Sequence, residues 1–299
     1  MSNLKYYWDL IKVKTQLSTG NTSKTHGPAK GSWSVVGFFQ NDGGFLREWV
    51  LFYLSQGAEH VFLVDNDSTD YSREELKPFV DSGYVSLYEP DRNLEFKDQV
   101  VDAYNRLGTL AKSKSEYAVF LDSDEFLVLP EGKSLSQELQ TNPPEYGRVY
   151  NWCLFGSSGV ETVPHKEWML NHLIHRFDES HNEHLHVKSL VKVTEPFRFF
   201  KGNPHYPELP WGRKMEWPDG SPFVSGQRKI DFSRGKIHHY WYRTEAFYRE
   251  VKLPRRKAFD GGRPEEIETQ HRADSNAVED VSARLYIAAL EEWAKSHSL

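Results

Sequence analysis

Cysteine is almost absent from this sequence of 299 residues, in which Cys153 is the single example. No disulfide can therefore form within the chain, which suits a reducing compartment, and we expect a cytoplasmic protein. No apolar run approaches the roughly 18 residues that a membrane-spanning helix needs. The N-terminus also lacks a charged start followed by an apolar stretch, so we expect no signal peptide. Peripheral association with the inner face of a membrane stays open.

An excess of positive charge is missing as well. The formal net charge of -6 argues against nonspecific binding to nucleic acid. A Walker-type loop, Gly-X-X-X-X-Gly-Lys-Ser/Thr, does not occur, so nothing supports a P-loop NTPase. What the chain does have is the composition of a globular protein, with 38% hydrophobic and 27% charged residues. This length and composition allow one large domain or two small ones.

Strand and helix patterns alternate from Trp33 to about residue 121. Apolar segments predict strands at 33–39, 60–64, 84–88 and 117–121, and helical spacing predicts helices at 45–56, 72–81 and 95–113. Such alternation predicts an α/β fold with a mostly parallel sheet flanked by helices.

The rest of the chain is harder to interpret from its pattern. Beyond Pro130 the strands become short and irregular, and we predict strands at 187–193 and 237–242 and helices at 244–252 and 275–296. Residues 1–31 are predicted to form an N-terminal extension or linker, with a short helix at 4–13. Residues 32–299 are predicted to form a single domain.

Residues 118–126, Ala-Val-Phe-Leu-Asp-Ser-Asp-Glu-Phe, carry the most specific chemical signal. A buried strand runs directly into Asp122 and Asp124, which share one face if the extended geometry continues, whereas Glu125 points away. Two carboxylates at a strand end suit a divalent cation with open positions for a diphosphate. Acidic residues after a strand also serve as turn formers and helix caps, so the tripeptide alone leaves both interpretations open.

Four segments together carry a family resemblance. They are Gln40–Asp42 with Phe45–Trp49, Asp65–Asp70, Phe120–Phe126, and His239-Tyr240 with Thr244, Glu245 and Phe247. In this order they are similar to the motifs KNE…YLREW, DNxSxD, FIDxDEF and HYxxKSxEEF of GT-A fold nucleotide-sugar glycosyltransferases, in the group related to families 2 and 92. Gln40 and Asp42 replace the usual Lys and Glu.

The resemblance implies a GT-A fold and a donor that is a nucleoside diphosphate sugar, most often a UDP-sugar. It implies a nucleotide-binding half at about 32–130 and an acceptor half at about 131–299. It also implies a Mn²⁺ or Mg²⁺ ion held by Asp122, Asp124 and His239, with the adjacent His238 as the less favoured alternative. The residues expected to contact the donor are Asn41, Asp65, Asp67, Gln99, Asp122 and Lys188.

The acceptor side is defined less well. The expected acceptor is a glycan or a lipid-linked saccharide, in a polysaccharide biosynthesis pathway by family analogy alone. Inverting transfer needs a carboxylate that takes the proton of the acceptor hydroxyl. Glu183 and Asp178 are the candidate bases, because both lie in the His-rich stretch before the predicted strand at 187–193.

Two rival functions are kept beside the glycosyltransferase. A metal-dependent sugar nucleotidyltransferase would usually carry a basic, Gly-rich phosphate loop after its first strand, where this chain is acidic. A non-catalytic carbohydrate-binding protein on the same fold would be expected to lack the paired aspartates.

Several histidines lie close together in the sequence, and His181-X-X-His184 has a spacing found in zinc sites. No cysteines accompany them, so the sequence gives little support to a structural zinc site.

Overall fold

A computed structural model describes residues 27–260 and 265–299 of the chain. Nearly all of the predicted N-terminal extension, including the predicted helix at 4–13, lies outside the described residues, so the predicted domain boundaries stay predictions. The chain has an α/β fold, as predicted, and the centre of the described part is one eight-stranded sheet.

The strands of this sheet follow the order β3-β2-β1-β4-β8-β6-β11-β5. Its first half consists of four parallel strands, and the remaining strands pair in mixed directions. The strands are β1 (Trp33–Phe39), β2 (Val61–Asp65), β3 (Val85–Tyr88), β4 (Tyr117–Asp122), β5 (Glu125–Val128), β6 (Gly147–Leu154), β8 (Val187–Val191) and β11 (Lys236–His239). Two pairs lie outside it, β9 (Arg198–Phe200) with β10 (Asn203–Glu208), and β7 (His175–Arg176) with β12 (Val278–Glu279).

Helices connect the parallel strands and cover the sheet. They are α1 (Leu46–Ser55), α2 (Ser72–Asp81), α3 (Phe96–Ala111), α4 (Leu135–Thr141), α5 (Glu245–Phe247), α6 (Leu253–Asp260), α7 (Glu265–Asp274) and α8 (Ile287–Ser296). A π-helical turn, Tyr248–Lys252, joins α5 to α6. None of the helices described here is both long enough and apolar enough to cross a bilayer.

Helix α1 shows why these residues form this layer. Its apolar positions are buried against β1, and Gly57 ends the helix with a positive φ of 91°. The contact is close at Gly37 of β1, where an added Cβ would lie 2.9 Å from the Trp49 ring. The helix is therefore held against the strand that leads into the candidate site.

The predicted elements of the first half are confirmed to within about two residues. The prediction of one helix over 275–296 is wrong. That segment contains β12, a 3₁₀ turn at Ser282–Tyr286 and only then α8. β12 forms because Val278 and Glu279 pair with β7, a tertiary contact that helical periodicity does not reveal.

The sheet changes winding direction between β1 and β4. From β1 the chain moves outward to β2 and β3, and it then returns to place β4 on the other side of β1. In open α/β sheets, ligands bind in the crevice at the carboxyl ends of the strands beside such a switch point. Gln40 and Asp122 lie at the ends of these two strands.

Candidate active site

A cavity of about 730 Å³ opens at the carboxyl ends of β1 and β4. This volume lies within the range of small-molecule sites. Both halves of the described chain line it. Its polar and aromatic lining includes Gln40, Asp42, Asn66, Asp122, Ser123 and Asp124 from the first half, and Trp152, Glu183, His205, His239, Trp241, Lys252, Arg255, Arg256 and His271 from the second.

Asp122 ends strand β4, and Asp124 lies in the tight turn to β5. The Asp122 carboxylate accepts hydrogen bonds from Lys188 Nζ at 2.9 Å and from Tyr104 Oη at 3.2 Å. The Asp124 carboxylate is buried and accepts a hydrogen bond from Lys252 Nζ at 2.5 Å. Each aspartate therefore has its own lysine counter-ion at the cavity.

Strand β11 places His239 beside Asp124. His239 Nε2 lies 3.4 Å from Asp124 Oδ1, and its Nδ1 is buried without a hydrogen-bond partner. The preceding residue, His238, points to the opposite face of the strand, where it contacts Tyr240 Oη at 3.3 Å within the core. Of the two neighbouring histidines, only His239 lines the cavity.

Buried charges keep the site ionised. Burial disfavours the charged form of Asp124, but Lys252 and His239 outweigh it and hold the pKa of this carboxyl well below its usual range. Burial also opposes the charge on Lys188, yet Asp122 and Glu125 raise the pKa of its ammonium. Glu125, which is fully buried, has a raised pKa because burial dominates there. Glu125 supports the turn by accepting a hydrogen bond from the backbone N–H of Asp122 at 2.9 Å.

A buried ion pair ties the first motif to the last. Arg243 Nη1 donates to Asp42 Oδ1 at 2.8 Å, and its Nη2 donates to the carbonyl of Ser123 at 3.2 Å. The guanidinium also lies over the rings of Phe45 and Phe247, at 4.5 Å and 4.8 Å from their centroids. Segments about 200 residues apart in sequence are thereby fixed to the Asp122–Asp124 turn.

Five of the six residues predicted to contact the donor do not line the cavity as it stands, and one of these five, Lys188, lies behind it as the partner of Asp122. Asp65 is buried and pairs with Arg73, and Asp67 pairs with Arg92. The Asn41 side chain accepts a hydrogen bond from the backbone N–H of Thr69 at 2.7 Å. The Gln99 amide donates to the carbonyl of Leu94 at 2.8 Å. Their side chains hold local turns together, and Asn66, the residue between the two aspartates, faces the cavity.

The structure separates the two candidate bases. Glu183 lines the cavity, half-buried, with His271 Nε2 at 3.9 Å from its Oε1. Asp178 is exposed and accepts hydrogen bonds from the N–H and hydroxyl of Ser180, in a local turn that does not line the cavity. The geometry thus favours Glu183 as the carboxylate that an acceptor would meet.

No three His, Cys, Asp or Glu side chains converge closely enough to hold an ion, as far as residues 27–260 and 265–299 are concerned. Asp122 and Asp124 instead face separate lysines. The donor set itself suits Mn²⁺ or Mg²⁺, because it combines two carboxylates with an imidazole whose Nδ1 is buried without a hydrogen-bond partner. The chemistry of Asp122, Asp124 and His239 suits such a cation, although the three side chains would have to come closer together to bind it.

The sequence did not single out Lys252. It lies 128 residues after Asp124, in a segment with ordinary helical periodicity and several basic residues. His205 was also missed; it lines the cavity, and burial lowers its pKa to about 4. Neither residue belongs to a local motif, so only tertiary structure could reveal them.

Comparison with known proteins defines the class. The profile of glycosyltransferase family 92 matches residues 38–276, which span both halves of the sheet and every segment of the cavity described above. The chain belongs to glycosyltransferase family 92, and its α/β sheet is the nucleotide-sugar glycosyltransferase architecture that the resemblance implies.

Relatives of this chain are plant proteins of the same family. A family 92 protein of Oryza sativa subsp. japonica is 31% identical over 140 residues, covering 45% of this chain and 23% of the relative. One of Ricinus communis is 25% identical over 160 residues, covering 52% of this chain and 28% of the relative. The chain thus spans about a quarter of the length of the curated relatives it matches.

Solved structures show a more distant likeness. Staphylococcus aureus TarS 1–349 in complex with UDP has a TM-score of 0.34 at 14% identity, covering 54% of this chain and 47% of that one. Glucosyl-3-phosphoglycerate synthase of Mycobacterium tuberculosis, in complex with Mn²⁺, UDP and glucosyl-3-phosphoglycerate, has a TM-score of 0.27 at 19% identity, covering 44% and 47% of the two chains. Likeness at this level carries no inference about ligands.

Proposed function

We propose that this chain transfers a sugar from a nucleoside diphosphate sugar, with a UDP-sugar favoured, to a hydroxyl of a glycan or a lipid-linked saccharide, with inversion. The observation that supports it most directly is the pair Asp122 and Asp124 beside His239, at the sheet's switch point and on the wall of a ligand-sized cavity. Family membership supplies the reaction class.

Asp122, Asp124 and His239 are the residues that would hold a Mn²⁺ or Mg²⁺ ion. When bound, such an ion offsets the negative charge that builds on the leaving nucleoside diphosphate. Although burial opposes its charge, Lys252 and His239 hold the pKa of Asp124 well below its usual range, so this carboxylate needs no deprotonation before it binds a cation at neutral pH. Lys188 keeps the Asp122 carboxylate oriented from the strand next to β4.

The donor's nucleoside is proposed to lie over the ends of β1 and β2. Gln40 and Asn66 face that part of the cavity, and Phe96 and Val100 of α3 provide apolar surface there. The contacts that the sequence predicts from Asn41, Asp65, Asp67 and Gln99 would require small movements of these turns, and they stay predictions. The sugar would then extend towards Trp152 and Trp241, whose rings suit the apolar face of a pyranose.

Glu183 is proposed as the general base. Glu183 lines the same cavity as the aspartate turn, and it belongs to the half of the chain that is proposed to bind the acceptor. It would accept the proton of the acceptor hydroxyl as that oxygen attacks the anomeric carbon, and the bond from that carbon to the diphosphate would break. His271, at 3.9 Å, is placed to orient the carboxylate.

The proposed function is tested by incubating the protein with a panel of nucleotide sugars, with Mn²⁺ or with EDTA, and measuring nucleoside diphosphate release. We expect release from at least one UDP-sugar with Mn²⁺ and none with EDTA. Formation of a nucleotide sugar from a sugar phosphate and a nucleoside triphosphate would instead support the nucleotidyltransferase. Neither binding nor turnover of any nucleotide sugar would contradict the proposal.

A further inference from the structure

Lys252 occupies the carboxylate that a cation would need. Its Nζ lies 2.5 Å from Asp124 Oδ2, and both side chains are largely buried, with 16% and 8% of their surfaces exposed. His239 Nε2 covers the other oxygen of Asp124, at 3.4 Å. A divalent cation on the Asp124 carboxylate would lie close to this ammonium, and like charges at such a distance repel each other strongly in a buried site. Binding of a cation to Asp124 is therefore expected to weaken the Lys252 contact.

The segment that carries Lys252 is suited to such a movement. Lys252 ends the π-helical turn Tyr248–Lys252, and π turns within helices occur frequently at functional sites. Its ammonium is a point charge on a flexible four-carbon stem, so its position can change without moving the backbone. The centroid of the Trp241 ring lies 5.4 Å from Lys252 Nζ, so the ring can stabilise the ammonium by a cation–π contact when it moves away from Asp124.

Further basic residues lie beside Lys252 in the cavity. Arg255 and Arg256 follow on the next helix and line the same cavity, with Arg255 Nη2 donating to the carbonyl of Gln40 at 2.6 Å. The Arg256 guanidinium lies 5.2 Å from the centroid of the Trp241 ring, the same ring that neighbours Lys252. Lys252, Arg255 and Arg256 therefore make one part of the cavity lining basic. A diphosphate bound beside it would meet several cationic groups.

We propose that Lys252 is an exchangeable counter-ion, which neutralises Asp124 in the free protein and transfers its ammonium to a diphosphate oxygen of the donor when donor and cation bind together. This inference rests on the proposed function and adds to it a coupling between the binding of the cation and the binding of the donor. A cation alone repels the Lys252 ammonium without giving it a new anionic partner, whereas a cation with a diphosphate provides that partner. Cation and nucleoside diphosphate are thereby expected to bind with positive cooperativity.

Lys252→Met tests the exchange because it keeps the length of the side chain and removes its charge. The affinity for Mn²⁺ alone, measured by electron paramagnetic resonance of free Mn²⁺, is expected to increase about tenfold, since Mn²⁺ no longer competes with an ammonium. The affinity for UDP at saturating Mn²⁺, measured by calorimetry, is expected to decrease about tenfold, since a phosphate contact is lost. These opposite changes distinguish exchange from a merely structural role.

Lys257→Met is the matched control, because Lys257 lies exposed on α6, the helix that follows the π turn of Lys252, and is not part of the cavity wall. It should change neither affinity. Lys252→Gln provides a second neutral side chain in case the methionine variant is poorly folded, and it should show the same pair of changes.

The outcomes separate this inference from the function on which it rests. Wild-type protein that binds UDP with Mn²⁺, together with Lys252 variants whose affinity for Mn²⁺ alone is unchanged or weaker, would overturn the exchange and leave the proposed function standing. Wild-type protein that binds neither Mn²⁺ nor UDP would overturn both.

Discussion

The two walls of the cavity are built in different ways. The acidic wall comes from the ends of parallel strands and the turn into β5, where strand pairing and the Arg243–Asp42 ion pair fix the side chains. The basic and acceptor-side wall comes from a 3₁₀ turn and a π turn, which carry Glu183 and Lys252. Charged groups on short irregular elements can change partner at a lower cost than groups within a sheet. The difference suggests that the first wall holds the donor and the second wall responds to it.

The acidic wall is tested most severely by Asp124→Asn. The substitution keeps the shape of the side chain and removes the charge, so we expect sugar transfer to decrease about 10³-fold. The measurement is nucleoside diphosphate release at saturating donor and Mn²⁺. Asp178→Asn, an exposed aspartate that does not line the cavity, is the control and should retain activity. An Asp124→Asn variant with wild-type turnover would remove Asp124 from the metal site.

The acceptor-side wall is tested by Glu183→Gln. Loss of a general base is expected to lower kcat between about 10²-fold and 10⁴-fold, while the affinity for the donor stays within about twofold. The pH profile of kcat should also lose its acidic limb, because no carboxylate remains to be deprotonated. A variant that weakens donor binding and kcat equally would instead place Glu183 on the donor side.

The strands and helices that carry the first wall could be predicted because each is defined by the pattern of its own local sequence. Apolar runs and helical spacing indicate β1 to β4 and their helices, and the rule for parallel sheets places Asp122 at the site. The second wall could not be predicted, because its residues meet through long-range contacts. The pairing of Lys252 with Asp124 spans 128 residues, and that of Arg243 with Asp42 spans 201. The Asp65–Asp70 motif shows a different limit. The motif itself could be recognised from the sequence, but the pairing of its aspartates with Arg73 and Arg92 in this turn could not be predicted.

That turn provides a milder test. Asp67 forms an exposed ion pair with Arg92, and such pairs contribute little to stability. If Asp67 contacts the nucleotide as the family motif implies, Asp67→Asn should raise the donor KM about tenfold through the loss of one charged hydrogen bond. Its melting temperature should stay at the wild-type value. An unchanged KM would assign the motif to turn formation alone.

The last test of this kind concerns stability rather than catalysis, at Glu48 of the Leu-Arg-Glu-Trp segment. Glu48 is buried and accepts hydrogen bonds from the backbone N–H groups of Met169 and Leu170, at 2.7 Å and 3.0 Å. Burial raises its pKa from 4.5 to about 7. The folded state therefore keeps a proton that the unfolded state releases between about pH 4.5 and 7, so this group's contribution to stability decreases as pH rises through that range.

Glu48→Gln removes this titration. We expect the wild-type protein to lose about 3 kcal/mol of stability relative to the glutamine variant as the pH rises from 4.5 to 7, because the pKa of Glu48 is about 7 in the folded state. Urea unfolding at several pH values measures the difference. Parallel stability curves for the two proteins would show that Glu48 is ionised in the folded state across the whole range.

The measurement that tests the central claim most directly is the affinity for UDP, by calorimetry, in Mn²⁺ and in EDTA, for the wild-type protein and Asp124→Asn. We predict that Mn²⁺ strengthens UDP binding to the wild-type protein at least about tenfold, and that the variant shows no difference between the two conditions. Equal affinity of the wild-type protein in Mn²⁺ and EDTA, or an undiminished Mn²⁺ effect in the variant, would contradict a cation held by the Asp122–Asp124 turn.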